Sequence, residues 1–335
     1  MKAVGYKESL PIDNDNALQD IELDKPQASG RDLLVEVKAI SVNPVDYKIR
    51  HRHQPEEGEW KVLGWDATGI VRAVGEEVSL FKVGDEVWYA GDLMRQGSNA
   101  EFQLVDERIV GHKPKSLSFA EAAALPLTTL TAWELLFDRM EVDKENAGKR
   151  LLVIGAAGGV GSILVQMAKQ LTQLTVIGTA SRPETISWLE SLGVDHIINH
   201  RNPLSEELKQ KNLPLVDYVV SLTATDQHFD EIVKLIKPQG KFGLIDDPKQ
   251  LNVMPLKVKA VSTHIELMFT RSMFQTEDMI EQHHILNKTA DLIDQKILKT
   301  TVGEHYGVIN AVNLRRAHGL LESFKGKGKI VLEGF

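Results

Sequence analysis

The sequence predicts an α/β protein in which a doubly wound parallel sheet domain lies between two segments of a second, β-rich domain. Three observations carry that prediction. Strand-like and helix-like stretches alternate strictly from Lys149 to Phe242. A glycine-rich turn joins an apolar strand to a helix at Gly155–Gly161. The stretch before Ser116 reads instead as short strands separated by turns, the grammar of a compact barrel or sandwich. The chain has 335 residues, enough for two domains with cores of their own. The expected division is 1–124, 125–258 and 259–335, with the first and last segments forming one domain.

In chain order, Leu33–Ile40 has the β-branched content of a strand, and Gly69–Gly75 is a second strand bounded by glycines. Phe81–Trp88 reads as two short strands about a Gly84-Asp85 turn. Ser118-Phe119-Ala120-Glu121 is a capping box that opens an alanine-rich helix, and Thr128–Met140 reads as another helix. In the alternating region, strands are expected at Leu151–Ile154, Thr175–Thr179, Tyr218–Leu222 and Lys241–Ile245. Helices are expected at Val160–Leu171, Pro183–Leu192 and Gln227–Ile236. After Pro255 the alternation stops. Met279, Ile280, Leu286, Ile293 and Ile297 then keep helical spacing from Asp278 to Leu298, and Lys329–Leu332 is a closing strand.

Composition removes several function classes. The 47 acidic against 39 basic residues leave a net charge of -8, which disfavours general nucleic-acid binding. The absence of cysteine removes disulfides, thiolate nucleophiles and cysteine-ligated zinc. No apolar run is long enough to span a membrane, and Met1–Glu8 lacks a signal-peptide core, so a cytoplasmic location is expected. His51 with His53, and His283 with His284, lack the helical spacing of metal-binding pairs and read as surface or polar-face residues.

The most informative stretch is Leu151 to Gly161. Glycines let a backbone approach a pyrophosphate closely, and a helix N-terminus offers it free amides and partial positive charge. Gly158 and Gly161 hold two positions of the dinucleotide fingerprint, while Ala156 replaces the first glycine. The alternative is a tight strand-to-helix turn with no ligand. About twenty residues past the last glycine, an NAD site places a carboxylate on the ribose. Here Thr179-Ala180-Ser181-Arg182 stands instead. Arg182 can pair with a 2′-phosphate and Ser181 can donate to it, so NADPH is the expected cofactor. Ser181 also reads as the N-cap of a Ser181–Glu184 capping box.

The chain resembles the medium-chain dehydrogenase/reductase superfamily over essentially its whole length, and within it the zinc-free quinone oxidoreductase (ζ-crystallin-like) branch. The resemblance rests on Asn43-Pro44-Val45-Asp46, Gly64-Trp65-Asp66-Ala67-Thr68-Gly69, Leu125 to Trp133, the glycine loop and Gly328-Lys329-Ile330-Val331-Leu332. It is nearest to the bacterial group called zinc-type alcohol dehydrogenase-like. It implies a Rossmann domain beside a GroES-like β-barrel catalytic domain, and a homodimer. Zinc relatives bind their catalytic metal through Cys, His and Cys. By motif order those positions hold Asn43, Trp65 and Leu127, so no metal is expected.

Without a Lewis acid the acceptor must already be electron-poor, and quinones and α,β-unsaturated carbonyls both qualify. The expected activity is NADPH-dependent quinone reduction, with enone or alkenal reduction as the alternative. A further alternative is an NADPH-binding protein with little turnover and contact with RNA. By resemblance, Thr131 meets the nicotinamide carboxamide, and Gly158, Gly159 and Val160 meet the pyrophosphate. Ser181, Arg182 and His200 meet the 2′-phosphate region, Thr223 lies near the nicotinamide half, and Lys329 lies at its outer edge. Asn43 and Tyr47 face the reacting ring, in a cleft between the domains. Tyr47 either donates a proton or walls the pocket. Trp65 either stacks on substrate or fills the core.

Overall fold

The computed structural model describes residues 1–142 and 147–335. Residues 1–142 contain strands β1 (Lys2–Tyr6), β2 (Gln19–Glu22) and β3 (Asp32–Val42), helix α1 (Pro44–Arg52), then β4 (Lys61–Val62), β5 (Ala67–Val74), β6 (Glu86–Tyr89), β7 (Phe102–Asp106) and β8 (Val110–His112), followed by α2 (Phe119–Ala123) and α3 (Pro126–Trp133). An alternating region follows: β9 (Arg150–Ile154), α4 (Gly159–Leu171), β10 (Thr175–Thr179), α5 (Pro183–Ser191), β11 (His196–Ile198), α6 (Leu204–Gln210), β12 (Val216–Ser221), α7 (Thr225–Leu235), β13 (Ile236–Leu244) and β14 (Ser262–Ile265). The chain closes with α8 (Thr270–Phe274), α9 (Glu281–Asp294), β15 (Val302–His305), α10 (Ala311–Glu322) and β16 (Lys329–Glu333). Two compact units result, Met1–Leu130 with Phe269–Phe335, and Thr131–Met268.

Unit Thr131–Met268 is a parallel six-stranded sheet in the order β11-β10-β9-β12-β13-β14. Such a sheet is buried on both faces, so its central strands are continuous apolar runs rather than alternating ones. Leu151, Leu152, Val153 and Ile154 of β9 are all buried accordingly. Phe229, Ile232 and Leu235 of α7 close one face over Leu152, Val219 and Phe242. The carbonyls at the end of α7 are satisfied by one cation: Lys259 donates to Val233 O at 2.7 Å, Lys234 O at 2.9 Å and Ile236 O at 2.7 Å.

The other unit holds a three-stranded sheet, β2-β1-β4, and a seven-stranded sheet ordered β15-β16-β3-β5-β6-β8, with β7 also paired to β3. The eleven-residue β3 is its spine, with β16, β5 and β7 antiparallel to it. The capping box of α2 forms as the sequence predicts, Glu121 N donating to Ser118 Oγ at 3.2 Å and Ser118 N to the Glu121 carboxylate at 2.9 Å. No helix among the described residues is long and apolar enough to cross a membrane.

Several elements differ from expectation. Phe81 and Lys82 are not a strand, and only Glu86–Tyr89 pairs after the Gly84 turn. The helix expected over Thr128–Met140 starts at Pro126 and widens to a π-helix at Glu134–Arg139. Strand β11 is only three residues long, and β14 and helix α6 carry too few apolar residues to stand out in the sequence. β14 is an edge strand with partly solvated residues, so nothing selected for a buried run there.

Candidate active site

In the first unit the strand-to-helix junction β3–α1 builds a buried polar knot. Asn43 precedes α1, and Asp46 in the helix's first turn accepts its backbone N–H at 2.6 Å. The Asn43 side chain donates from Nδ2 to Asp66 Oδ2 at 2.8 Å and to Trp65 O at 3.3 Å. Its Oδ1 accepts from the Lys329 ammonium. Lys329 also donates to Val42 O at 3.0 Å and Asp66 Oδ2 at 2.9 Å. Asp66 Oδ1 accepts from Leu127 N at 2.8 Å.

Two of the residues expected at the cofactor and the reacting ring lie in this knot. Asn43 was expected at the reacting ring, and Lys329 at the outer edge of the cofactor. Both are buried, 1 % and 3 % exposed. The Asn43 amide has spent both hydrogens and its oxygen inside the unit, and the ammonium has a partner for each of its three hydrogens. Trp65 is fully buried, its Nε1 donates to Asp92 O at 3.1 Å, and its ring meets Phe269 edge-on at 6.4 Å. That is the core-filling reading. Tyr47 is 9 % exposed, with its ring centroid 5.9 Å from that of His51.

Two acids at the centre of the knot, Asp66 and Asp46, escaped the sequence reading. Burial pushes the Asp66 carboxyl above the ordinary range, opposed by the Lys329 charge and the Leu127 amide. Burial likewise pushes Asp46 up to about 7, opposed by the Asn43 amide and Lys329. The available signal was an acid enclosed by small and apolar neighbours, Trp65-Asp66-Ala67-Thr68-Gly69.

The second unit carries the glycine loop as predicted. Gly155 has φ +80°, a conformation that favours glycine. A Cβ at Gly161 would lie 2.4 Å from Ala156 O, so only glycine lets α4 pack this closely on the loop. A Cβ on Gly158, the N-cap of α4, would approach nothing but Gly155 O at 3.4 Å. The loop is therefore open above the first turn of α4, where Gly159, Val160 and Gly161 have no carbonyl one turn back. Thr223 borders the loop, since a Cβ at Gly155 would meet its Cγ2 at 3.0 Å. Thr131, on α3, is 5 % exposed. An open amide-lined cradle of this kind fits a dinucleotide pyrophosphate.

At the ends of β10 and β11 the cap of α5 is Arg182 rather than Ser181. Pro183 fixes the first helical position, and Thr185, not Glu184, closes the cap by donating from its hydroxyl to Arg182 O at 2.9 Å. The Ser181 hydroxyl instead lies 3.2 Å from His200 Nε2. Arg182 Nε pairs with Glu184 at 3.0 Å. Burial holds His200 below its ordinary value, as do His228, Arg201 and Arg182 nearby. Arg201 and His228 were not among the residues the sequence singled out.

The residues at the zinc-ligand positions do not fit a metal. The Asn43 amide is engaged in the knot, the Trp65 indole offers no metal ligand and donates to Asp92 O, Leu127 has no ligating atom in its side chain, the chain lacks cysteine, and no group of three or more His, Asp or Glu among the described residues could hold an ion. His283 is half-buried rather than on the surface, its Nδ1 2.6 Å from Val110 O and its Nε2 2.9 Å from the Asn287 amide.

Residues 29–133 match the alcohol dehydrogenase GroES-like domain family, and residues 159–286 match the zinc-binding dehydrogenase family. The zinc-type alcohol dehydrogenase-like protein of Staphylococcus epidermidis is 40 % identical over 338 residues, covering 99 % of each chain. A solved structure from Rhizobium etli, provisionally assigned as a zinc-dependent alcohol dehydrogenase, is 57 % identical with TM-score 0.96, covering 100 % of this chain and 98 % of that one. The CurK enoyl reductase is 27 % identical with TM-score 0.83, covering 100 % and 99 %. The quinone oxidoreductase of Coxiella burnetii is 25 % identical with TM-score 0.81, also covering 100 % and 99 %. Together with the parallel dinucleotide-type sheet and the separate β-rich unit, these likenesses establish that the chain belongs to the medium-chain dehydrogenase/reductase superfamily and is an oxidoreductase with a Rossmann-like and a GroES-like domain.

Proposed function

We propose that the chain is an NADPH-dependent quinone reductase that works without zinc. The observation that carries this reading is the buried Asn43–Asp66–Lys329 knot: Asn43, at a motif position where zinc relatives carry a ligand, is engaged by the Asp66 carboxylate and the Lys329 ammonium. Activating an ordinary ketone or alcohol at such a site calls for a Lewis acid. An acceptor that is already electron-poor needs only orientation and exclusion of water. Bound NADPH supplies the hydride. In this reading Gly158, Gly159, Val160 and Gly161 hold the pyrophosphate, and Ser181, Arg182 and His200 hold the 2′-phosphate. Thr131 and Thr223 orient the nicotinamide half. Tyr47 walls the acceptor site.

The likeness to an enoyl reductase keeps enone reduction as the second reading. The test is to follow NADPH absorbance with a panel of quinones, enones and simple ketones. Quinones are expected to give the highest kcat/KM, and an enone ahead of every quinone transfers the proposal to the second reading. We also propose a homodimer. Among the described residues the outer edge of β14 has no strand partner, and Ile265 on it is 72 % exposed, an edge that a second copy can cover. Light scattering is expected to give twice the 37.3 kDa chain mass, and a mass of one chain removes the dimer.

A further inference from the structure

We infer that Arg201 is a specificity-determining residue for the cofactor 2′-phosphate, held in place by a latch between its loop and Glu207; the inference rests on the NADPH reading above. Strands β10 and β11 are parallel, with Thr179 opposite Ile198. Counting on from that pair places Ser181 beside His200, as their 3.2 Å approach shows. Arg182 and Arg201 follow the carboxyl ends of these neighbouring strands, and the charges of both act on His200. Ligands of open α/β sheets bind at those ends.

The two arginines are not equally available. Arg182 shares its guanidinium with Glu184 at 3.0 Å. Arg201 is exposed and forms no side-chain hydrogen bond or ion pair among the described residues. Its position is nevertheless set. Arg201 N donates to Asn199 Oδ1 at 3.0 Å, closing a turn about His200. The turn is fastened at both ends to the buried Glu207 on α6. Asn199 N donates to Glu207 Oε2 at 2.9 Å, and Asn202 Nδ2 donates to Oε1 at 2.7 Å. Those two bonds hold the Glu207 carboxyl below its ordinary range, so it stays ionised and bonded. His228 of α7 adds a further titratable group near His200. A phosphate dianion placed on the Ser181–His200 pair thus meets a free guanidinium on a loop whose backbone is already fixed. Little ordering entropy remains to be lost on binding beyond that of the Arg201 side chain itself.

The test is calorimetric titration of the purified full chain with NADPH, NADH and adenosine 2′,5′-bisphosphate, for wild type, Arg201→Ala, Arg201→Lys and Asn202→Ala. Arg201→Ala is expected to weaken NADPH and the bisphosphate by about tenfold, which is about 1.4 kcal/mol, and to leave NADH unchanged. Arg201→Lys keeps the charge but not the paired geometry and is expected to lose less. Asn202→Ala frees one end of the loop and is expected to show a smaller loss of the same selective kind. Arg201→Ala binding NADPH as wild type does, or losing NADH equally, overturns the inference. Wild type binding NADH more tightly than NADPH overturns instead the cofactor reading on which it rests.

Discussion

At the scale of single residues, the proposed recognition of a 2′-phosphate divides between a partly engaged arginine and one without a side-chain partner among the described residues. Arg182 has Glu184 as a competing partner, and its side chain is about a quarter exposed, 28 %. Charge-assisted bonds contribute about 1.5–3 kcal/mol where they are well made, and screening at a half-open site lowers that value. Arg182→Ala is therefore expected to raise KM for NADPH by roughly tenfold with NADH nearly unchanged. Equal rises for both cofactors mean that Arg182 supports α5 rather than the phosphate. The sequence points to Ser181 and Arg182 as candidates because the missing carboxylate is a local signal. Arg201, proposed above, is not legible there, because its placement depends on β11 lying beside β10 and on a latch to another helix. Nor does the sequence show how Asn43 and Lys329 are engaged. Motif order locates them along the chain, but only the fold reveals that they exhaust each other's hydrogen-bonding capacity against Asp66.

At the scale of elements, the strand–loop–helix unit of β9 and α4 was legible because three kinds of evidence agree on it: an apolar run, glycines and helical periodicity. The reason for its last glycine is steric. A methyl group at Gly161 would meet Ala156 at 2.4–2.6 Å, all backbone atoms that no side-chain rotation can relieve. Gly161→Ala is expected to cost about 1–3 kcal/mol of stability, read as a lower urea midpoint, and to weaken both NADPH and NADH by displacing the start of α4. Gly158→Ala meets only one atom at 3.4 Å, and its stability is expected to stay close to wild type. A Gly161→Ala protein with wild-type stability and wild-type affinity for both cofactors contradicts this account of the loop. β11, α6 and β14 were illegible for the opposite reason. They are short or on the sheet edge, and their packing partners, not their own patterns, define them.

At the scale of the whole molecule, two buried titratable groups set opposing pH dependences. Burial, with Arg50 and His51 nearby, lowers His318 to about 3. Between about 6.5 and 3 the unfolded chain therefore binds a proton that the folded chain refuses, and stability falls as pH falls through that window. Asp46 works the other way. Raised to about 7, it keeps its proton in the folded state after the unfolded chain has lost it near 3.8, so stability falls as pH rises between those values. Replacing His318 isolates the first effect. Relative to wild type, His318→Leu is expected to gain stability as pH falls from 6.5 to 4, by up to about 1.4 kcal/mol per pH unit. Urea midpoints at pH 4.5, 5.5 and 6.5 check this, and a constant difference between variant and wild type contradicts it.

Reduction of an electron-poor acceptor with NADPH and no metal is the activity proposed above from the engagement of Asn43, at a zinc-ligand motif position, by Asp66 and Lys329. Its most direct test is the initial rate of NADPH oxidation with a benzoquinone and with a simple ketone, on protein dialysed against a chelator and assayed for zinc. An undiminished quinone rate, a ketone rate near background and no stoichiometric zinc are expected. Loss of the quinone rate on chelation, restored by added zinc, contradicts it.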